Sequence, residues 1–155
     1  MPIILINLKE DEALITWVDY AMLVTWIIAF IIEVMADVGK FVFRCNPENK
    51  GKFITTGIWR YSRHPNYFGE ILMWFALAIC VTMADQTLYW SFLSPVFSTW
   101  LLLCLSGVPM VERAGKKKWG DNPEYIAYIE NTSCVIPWFP SQKNKSQLEA
   151  KLLKD

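Results

Sequence analysis

Three apolar stretches separated by short, strongly polar ones set the layout of the chain. The first runs from about Ala13 to Ala36, long enough for the hydrocarbon core of a bilayer, and carries Trp17, Tyr20 and Trp26, with the acid Asp19 inside it and Glu33 close to its end. The second runs from Ile71 to Ala84 and the third from Phe92 to Met110. The second is short for a crossing, so with Asp85, Gln86 and Thr87 it predicts the tight end of a helical hairpin that is tilted or partly re-entrant. From the end of the first stretch onward, Glu33, Asp37, Lys40 and Arg44 recur at intervals of three and four, which predicts a helix continuing past the membrane face with these residues on one side. Asn46-Pro-Glu-Asn-Lys-Gly51 then breaks it, and a loop leads to Trp59.

After Pro109 the pattern predicts a polar helix to Lys118, a turn over Trp119-Gly-Asp-Asn-Pro123, a short amphipathic helix from Glu124 to Asn131 and an interfacial anchor over Val135 to Pro140. Residues 141–155 are polar and are expected to form a frayed or solvated tail. The expected fold is all-α: one integral membrane domain over residues 1–140, with three or four membrane helices including the hairpin, followed by short cytosolic helices.

Composition fixes the solvent. The chain is 54% hydrophobic and 15% aromatic, with a mean hydropathy of +0.24, too apolar for an ordinary soluble domain of 155 residues. Formal net charge is zero, so nothing points to a nucleic-acid partner. The distribution of charge is more informative. Lys40, Arg44, Lys50, Lys52, Arg60 and Arg63 fall between the first and second stretches, and Arg113, Lys116, Lys117 and Lys118 follow the third. A two-helix hairpin returns the chain to the side it left, so both basic segments face one compartment, cytosolic by the positive-inside rule, with Glu10-Asp11-Glu12 opposite. Cys45, Cys80, Cys104 and Cys134 show no metal-ligand spacing with His64, the single histidine, so no metal is expected and the thiols are expected reduced. The first 12 residues lack a basic start, so no cleavable signal is expected.

The run Gly57-Ile-Trp-Arg-Tyr-Ser-Arg-His-Pro-Asn-Tyr-Phe-Gly-Glu70 carries the chemistry. Arg60, Arg63 and His64 supply cationic or donor groups, Pro65 fixes the backbone, and a helix N-terminus follows whose free amides favour a phosphate. Lys116, Lys117 and Lys118 taken singly are explained by topology and the aromatic residues by packing and interfacial belts, whereas Glu70, an acid at a helix start, is read as functional over dipole compensation.

Glu33-x-x-x-Asp37, Asn46-Pro-x-Asn-Lys-Gly51, the run from Thr56 to Glu70, Val108-Pro109 with Glu112-Arg113, and Trp119-Gly with Tyr125 and Tyr128 together resemble the C-terminal domain of the steroid 5-alpha-reductase family, in its DUF1295 branch, over about residues 30 to 140. The resemblance implies an NADPH-dependent reductase of a carbon–carbon double bond in a steroid-like or other lipid substrate, in the endoplasmic reticulum if the source is eukaryotic. It implies cofactor contacts from Asp37, Arg44 and Lys52, from Asn66, Tyr67 and Glu70, and from Arg113 and Lys117, which join Arg60, Arg63 and His64 read from the run itself, and it leaves the catalytic donor unknown. The Arg-His-Pro-x-Tyr-x-Gly core is also similar to S-adenosylmethionine-dependent isoprenylcysteine and phospholipid methyltransferases, so methyl transfer stays open. A non-catalytic membrane protein that keeps the fold stays open too. One helix before the motif is similar to the cofactor-binding half alone, which leads us to expect a shortened form whose bare faces pack on a second copy or a partner subunit.

Overall fold

The computed structural model describes residues 15–140. The acidic start, the first two residues of the expected first span and the tail 141–155 lie outside the described residues. Helix α1 (Trp17–Cys45) opens at Thr16, whose backbone N–H and hydroxyl both donate to the Asp19 carboxylate, at 2.7 and 2.8 Å. The acid inside the first apolar stretch therefore serves the helix start, where the positive dipole end and free amides favour a carboxylate. At ~1.5 Å per residue the 29 residues of α1 outreach a bilayer core of ~30 Å, so the helix continues past the apolar stretch as its spacing predicted. It stops at Asn46, whose side chain accepts from the Glu48 N–H at 3.0 Å to start a tight turn over Pro47–Asn49. Gly51 follows with φ +83, a conformation that a side chain would strain.

Helix α2 (Pro65–Ala84) is longer than its apolar run. Pro65 occupies the first helical turn, where its missing N–H costs nothing, and the polar residues up to Glu70 join the helix, giving 20 residues, long and apolar enough for a crossing. It packs along α1 through small residues. Ala29, Ala36 and Ala76 are buried, and a Cβ added to Gly69 would lie 2.7 Å from the Ala29 carbonyl oxygen. In lipid, helices gain little from hydrophobic burial against each other, so close backbone approach of this kind supplies the contact.

The hairpin turns at Asp85, whose side chain accepts from the Thr87 N–H at 2.9 Å, and a tight helical stretch over Gln86–Phe92 leads into α3 (Leu93–Trp100). The third apolar run is not one continuous helix. A wider π turn covers Leu101–Leu105, with the Ser106 N–H reaching the Leu101 carbonyl at 2.9 Å, and Gly107 sits so close to the Leu102 backbone that a Cβ there would collide with its carbonyl. Helix α4 (Val108–Trp119) restarts with Pro109 in its first turn, and α5 (Pro123–Asn131) follows, capped by Asn122 accepting from the Glu124 N–H at 2.8 Å.

Residues 132–140 form a strap across the loop that precedes α2. Ser62, fully buried, donates its hydroxyl to the Val135 carbonyl at 2.7 Å, the Arg63 N–H donates to Ser133 at 2.9 Å, and the Trp138 N–H donates to Tyr61 at 2.9 Å. Three helical stretches, Trp17–Cys45, Pro65–Ala84 and Gln86–Trp119, are long and apolar enough to cross a membrane. Among the described residues there is no strand, and the protein is an all-α integral membrane domain with a polar cap.

Candidate functional site

The cap is organised around Glu112 on α4. One carboxylate oxygen, Oε2, accepts from the Arg63 guanidinium at 2.7 Å, and the other, Oε1, meets His64 Nε2 at 3.0 Å. A carboxylate only accepts, so Nε2 carries the imidazole proton. The ring of Tyr67, one turn into α2, stacks on the imidazole at 5.3 Å and within 2° of parallel. His64 is 4% exposed. Burial pushes its pKa below the ordinary value, Glu112 pulls the other way, and the positive charges of Arg63 and Lys40 push it down further. The result is a neutral ring held in place on two sides. The two basic segments thus meet through an acid placed between them.

An aromatic cluster forms the wall of the cap. Phe53 meets Tyr125 edge-on at 5.0 Å and Trp119 at 5.7 Å, and Trp119 lies 5.6 Å from Tyr125. Polar edges of the rings are spent on backbone carbonyls: Trp119 Nε1 donates to Gly51 at 2.6 Å, Tyr128 Oη to Trp59 at 2.7 Å, and Trp59 Nε1 to Ala36 of α1 at 3.0 Å. Burial pushes the Tyr128 phenol far above its usual value, as expected of a hydroxyl used only as a neutral donor. Gly115 is required here, because a Cβ at that position would strike the Tyr125 hydroxyl.

Two hollows adjoin along this wall. The smaller, about 370 Å³, lies over the Arg63–Glu112–His64 group and is edged by the cationic side chains of Lys40, Arg44, Lys52, Arg63 and Lys118. Lys40 stands 4.9 Å over the Trp59 ring and Lys118 4.5 Å over the Trp119 ring, so both ammonium groups are steadied by aromatic faces. The larger hollow, about 1020 Å³, is more open and contains Arg60, Thr55, Asn122 and Asn131. Lys52, Phe43, Phe53, Trp119 and Tyr128 border both.

The residues singled out from the sequence are distributed unevenly. Arg44, Lys52, Arg63 and His64 converge on the smaller hollow, with Tyr67 behind His64. Arg60 faces the larger hollow, on the far side of the aromatic wall from Arg63. Arg113 and Lys117 are exposed and line neither hollow, because the face of α4 turned to the cap carries Glu112, Gly115 and Lys118. Asn66 and Glu70 are half-buried at the start of α2 and line neither. Asp37, exposed on α1, and Glu70 lie within electrostatic reach of Glu33 and Tyr67, a second polar group in the α1–α2 groove. Sequence reasoning passed over Glu112 and Lys118 as site residues. Glu112 does stand in the Val108-Pro109…Glu112-Arg113 pattern, but its partners are 48 and 49 residues away along the chain.

Fold and site together define a class: a helical membrane domain whose polar cap encloses a cation-lined hollow. The chain belongs to the DUF1295 family, described as a protein of unknown function, whose profile matches residues 1–132. No curated protein and no solved structure matches it.

Proposed function

We propose that the protein is an NADPH-dependent reductase that saturates a carbon–carbon double bond in a steroid-like or other lipid substrate, with the cap as cofactor site on the cytosolic face. The observation that carries this reading is the gathering of five cationic side chains, Lys40, Arg44, Lys52, Arg63 and Lys118, around one hollow. NADPH brings a pyrophosphate and a 2′-phosphate, which call for several separate cations, whereas a sulfonium methyl donor calls for few. The residues present fit such a group: Arg63 Nε is buried with no acceptor, and a phosphate oxygen would provide one.

Arg44, Lys52, Arg63 and Lys118 would hold the phosphates, and Arg60 extends the cationic track beyond the wall by way of Lys52. When bound, the nicotinamide supplies the hydride. The chain's own part is positional. Glu112 fixes Arg63 and His64 relative to each other, and the aromatic wall keeps water from the inner side of the hollow. Positive-inside topology favours the cytosolic side for the cap, and the endoplasmic reticulum follows if the source is eukaryotic.

Equilibrium binding to the detergent-purified protein tests the reading. Saturable NADPH binding is expected, weakened about tenfold or more by Arg44→Ala and by Lys118→Ala through loss of a charge-assisted contact, and unchanged by Arg113→Ala. Selective binding of S-adenosylmethionine without NADPH would replace reduction by methyl transfer. NADPH binding without turnover of any lipid alkene would leave a cofactor-binding membrane protein.

A further inference from the structure

We propose that His64, Glu112 and Cys134 form a binding site for one divalent metal ion of the zinc class. One ligand atom from each residue lies within 4.8 Å of the other two, although the three are far apart in sequence. They come from three segments: the loop before α2, helix α4 and the strap. These segments are already tied together without an ion. Arg63 pairs with Glu112, the Arg63 N–H donates to Ser133, and the buried Ser62 hydroxyl reaches the Cys134 and Val135 carbonyls at 3.3 and 2.7 Å. The site is therefore built into the fold rather than assembled from loose surface groups.

The donor set selects the ion. An imidazole nitrogen, a carboxylate oxygen and a thiolate sulfur suit borderline-soft Zn²⁺, whereas Mg²⁺ and Ca²⁺ prefer oxygen alone. Three protein ligands leave a fourth tetrahedral position to water. Glu112 can serve because its two oxygens are already divided: Oε2 stays on Arg63, an outer partner that orients the carboxylate, while the ion takes Oε1. His64 Nε2 and Glu112 Oε1 are 3.0 Å apart, and the strap brings Cys134 in to complete the set. On binding, the thiol of Cys134 releases its proton to solvent and the imidazole shifts its proton from Nε2 to Nδ1. Thiolate and carboxylate then balance the ion's two charges. A metal held this way fastens the strap to the inner wall of the smaller hollow. The proposal stands on this cluster and does not depend on the nucleotide reading.

Cobalt substitution in the full chain tests it. The purified, metal-stripped protein is titrated with Co²⁺, and one equivalent is expected to give a thiolate-to-cobalt charge-transfer absorption together with tetrahedral d–d bands, both displaced by one equivalent of Zn²⁺. Cys134→Ser is expected to lose the charge-transfer band, while Cys45→Ser and Cys104→Ser, both at exposed positions, keep it. If Cys134→Ser fails to fold, the unaltered chain carries the same test: Zn²⁺ blocks alkylation of Cys134 and leaves Cys45 and Cys104 reacting as before. Absence of a charge-transfer band, a band that survives Cys134→Ser in a folded protein, or equal alkylation of Cys134 with and without Zn²⁺ overturns the proposal. None of these readouts involves a nucleotide, so failure here leaves the binding test above untouched.

Discussion

The α1–α2 seam and the cap are held together by opposite means. At the seam, contact depends on side chains that are small or missing: Ala29, Ala36 and Ala76 are buried, and Gly69 lets two helix backbones approach. In the cap, contact depends on large rings and directed bonds, with Trp59, Trp119 and Tyr128 each donating to a backbone carbonyl of another segment. Lipid gives apolar helices little reason to prefer each other, so the seam relies on shape, while the cap sits where burying an aromatic ring still counts. A change of size should therefore break the seam, and a change of a single atom should be felt in the cap.

The largest effect should come from the seam. Gly69→Leu places a branched side chain against the Ala29 carbonyl and the Glu33 backbone, neither of which can move without parting the helices, and is expected to cost about 3 kcal/mol in thermal or denaturant unfolding in detergent. Next is Glu112→Ala, which strands Arg63 and His64 together; a loss of about 2 kcal/mol is expected, with NADPH binding lost in the same titration. Tyr128→Phe keeps the ring and removes only the hydroxyl that donates to Trp59, and about 1 kcal/mol is expected from the same melts.

The smallest effect is a dependence on pH. The unfolded chain protonates His64 near its ordinary value of 6.5, whereas burial holds the folded value lower, so the unfolded state binds the extra proton first. Stability is complete above 6.5 and declines as the pH falls from there through the folded value. His64→Asn should flatten that part of the stability curve, and an unchanged slope would mean that another group governs it.

Local chemistry was legible in the sequence. The intervals joining Glu33, Asp37, Lys40 and Arg44 foretold that the first helix runs past its apolar stretch, and Asn46 to Gly51 foretold its end. Asn122 and Pro123 marked the start of the last helix. The start of α2 was legible too: hydropathy alone begins at Ile71, but Pro65 marks a helix start six residues earlier, and the helix begins there. The break inside the third run escaped because a π turn of leucines carries no breaker until Gly107.

At the site, the sequence named the cationic segments but not how they meet. Arg60 and Arg63 are three residues apart, yet the short helical turn over Gly57–Arg60 ends between them and they face different hollows. Glu112, which joins Arg63 to His64, and Cys134, which approaches them, are non-local to that motif. Spacing along one segment could not disclose either.

The strap offers an experimental opening. Pro140 of the strap lies on the rim of the larger hollow, just beyond the Trp138–Tyr61 bond that secures it. An environment-sensitive dye placed there through Pro140→Cys, with the native thiols replaced, would change its emission as the chamber fills. Occupancy could then be followed by light, with no need to know beforehand what molecule enters.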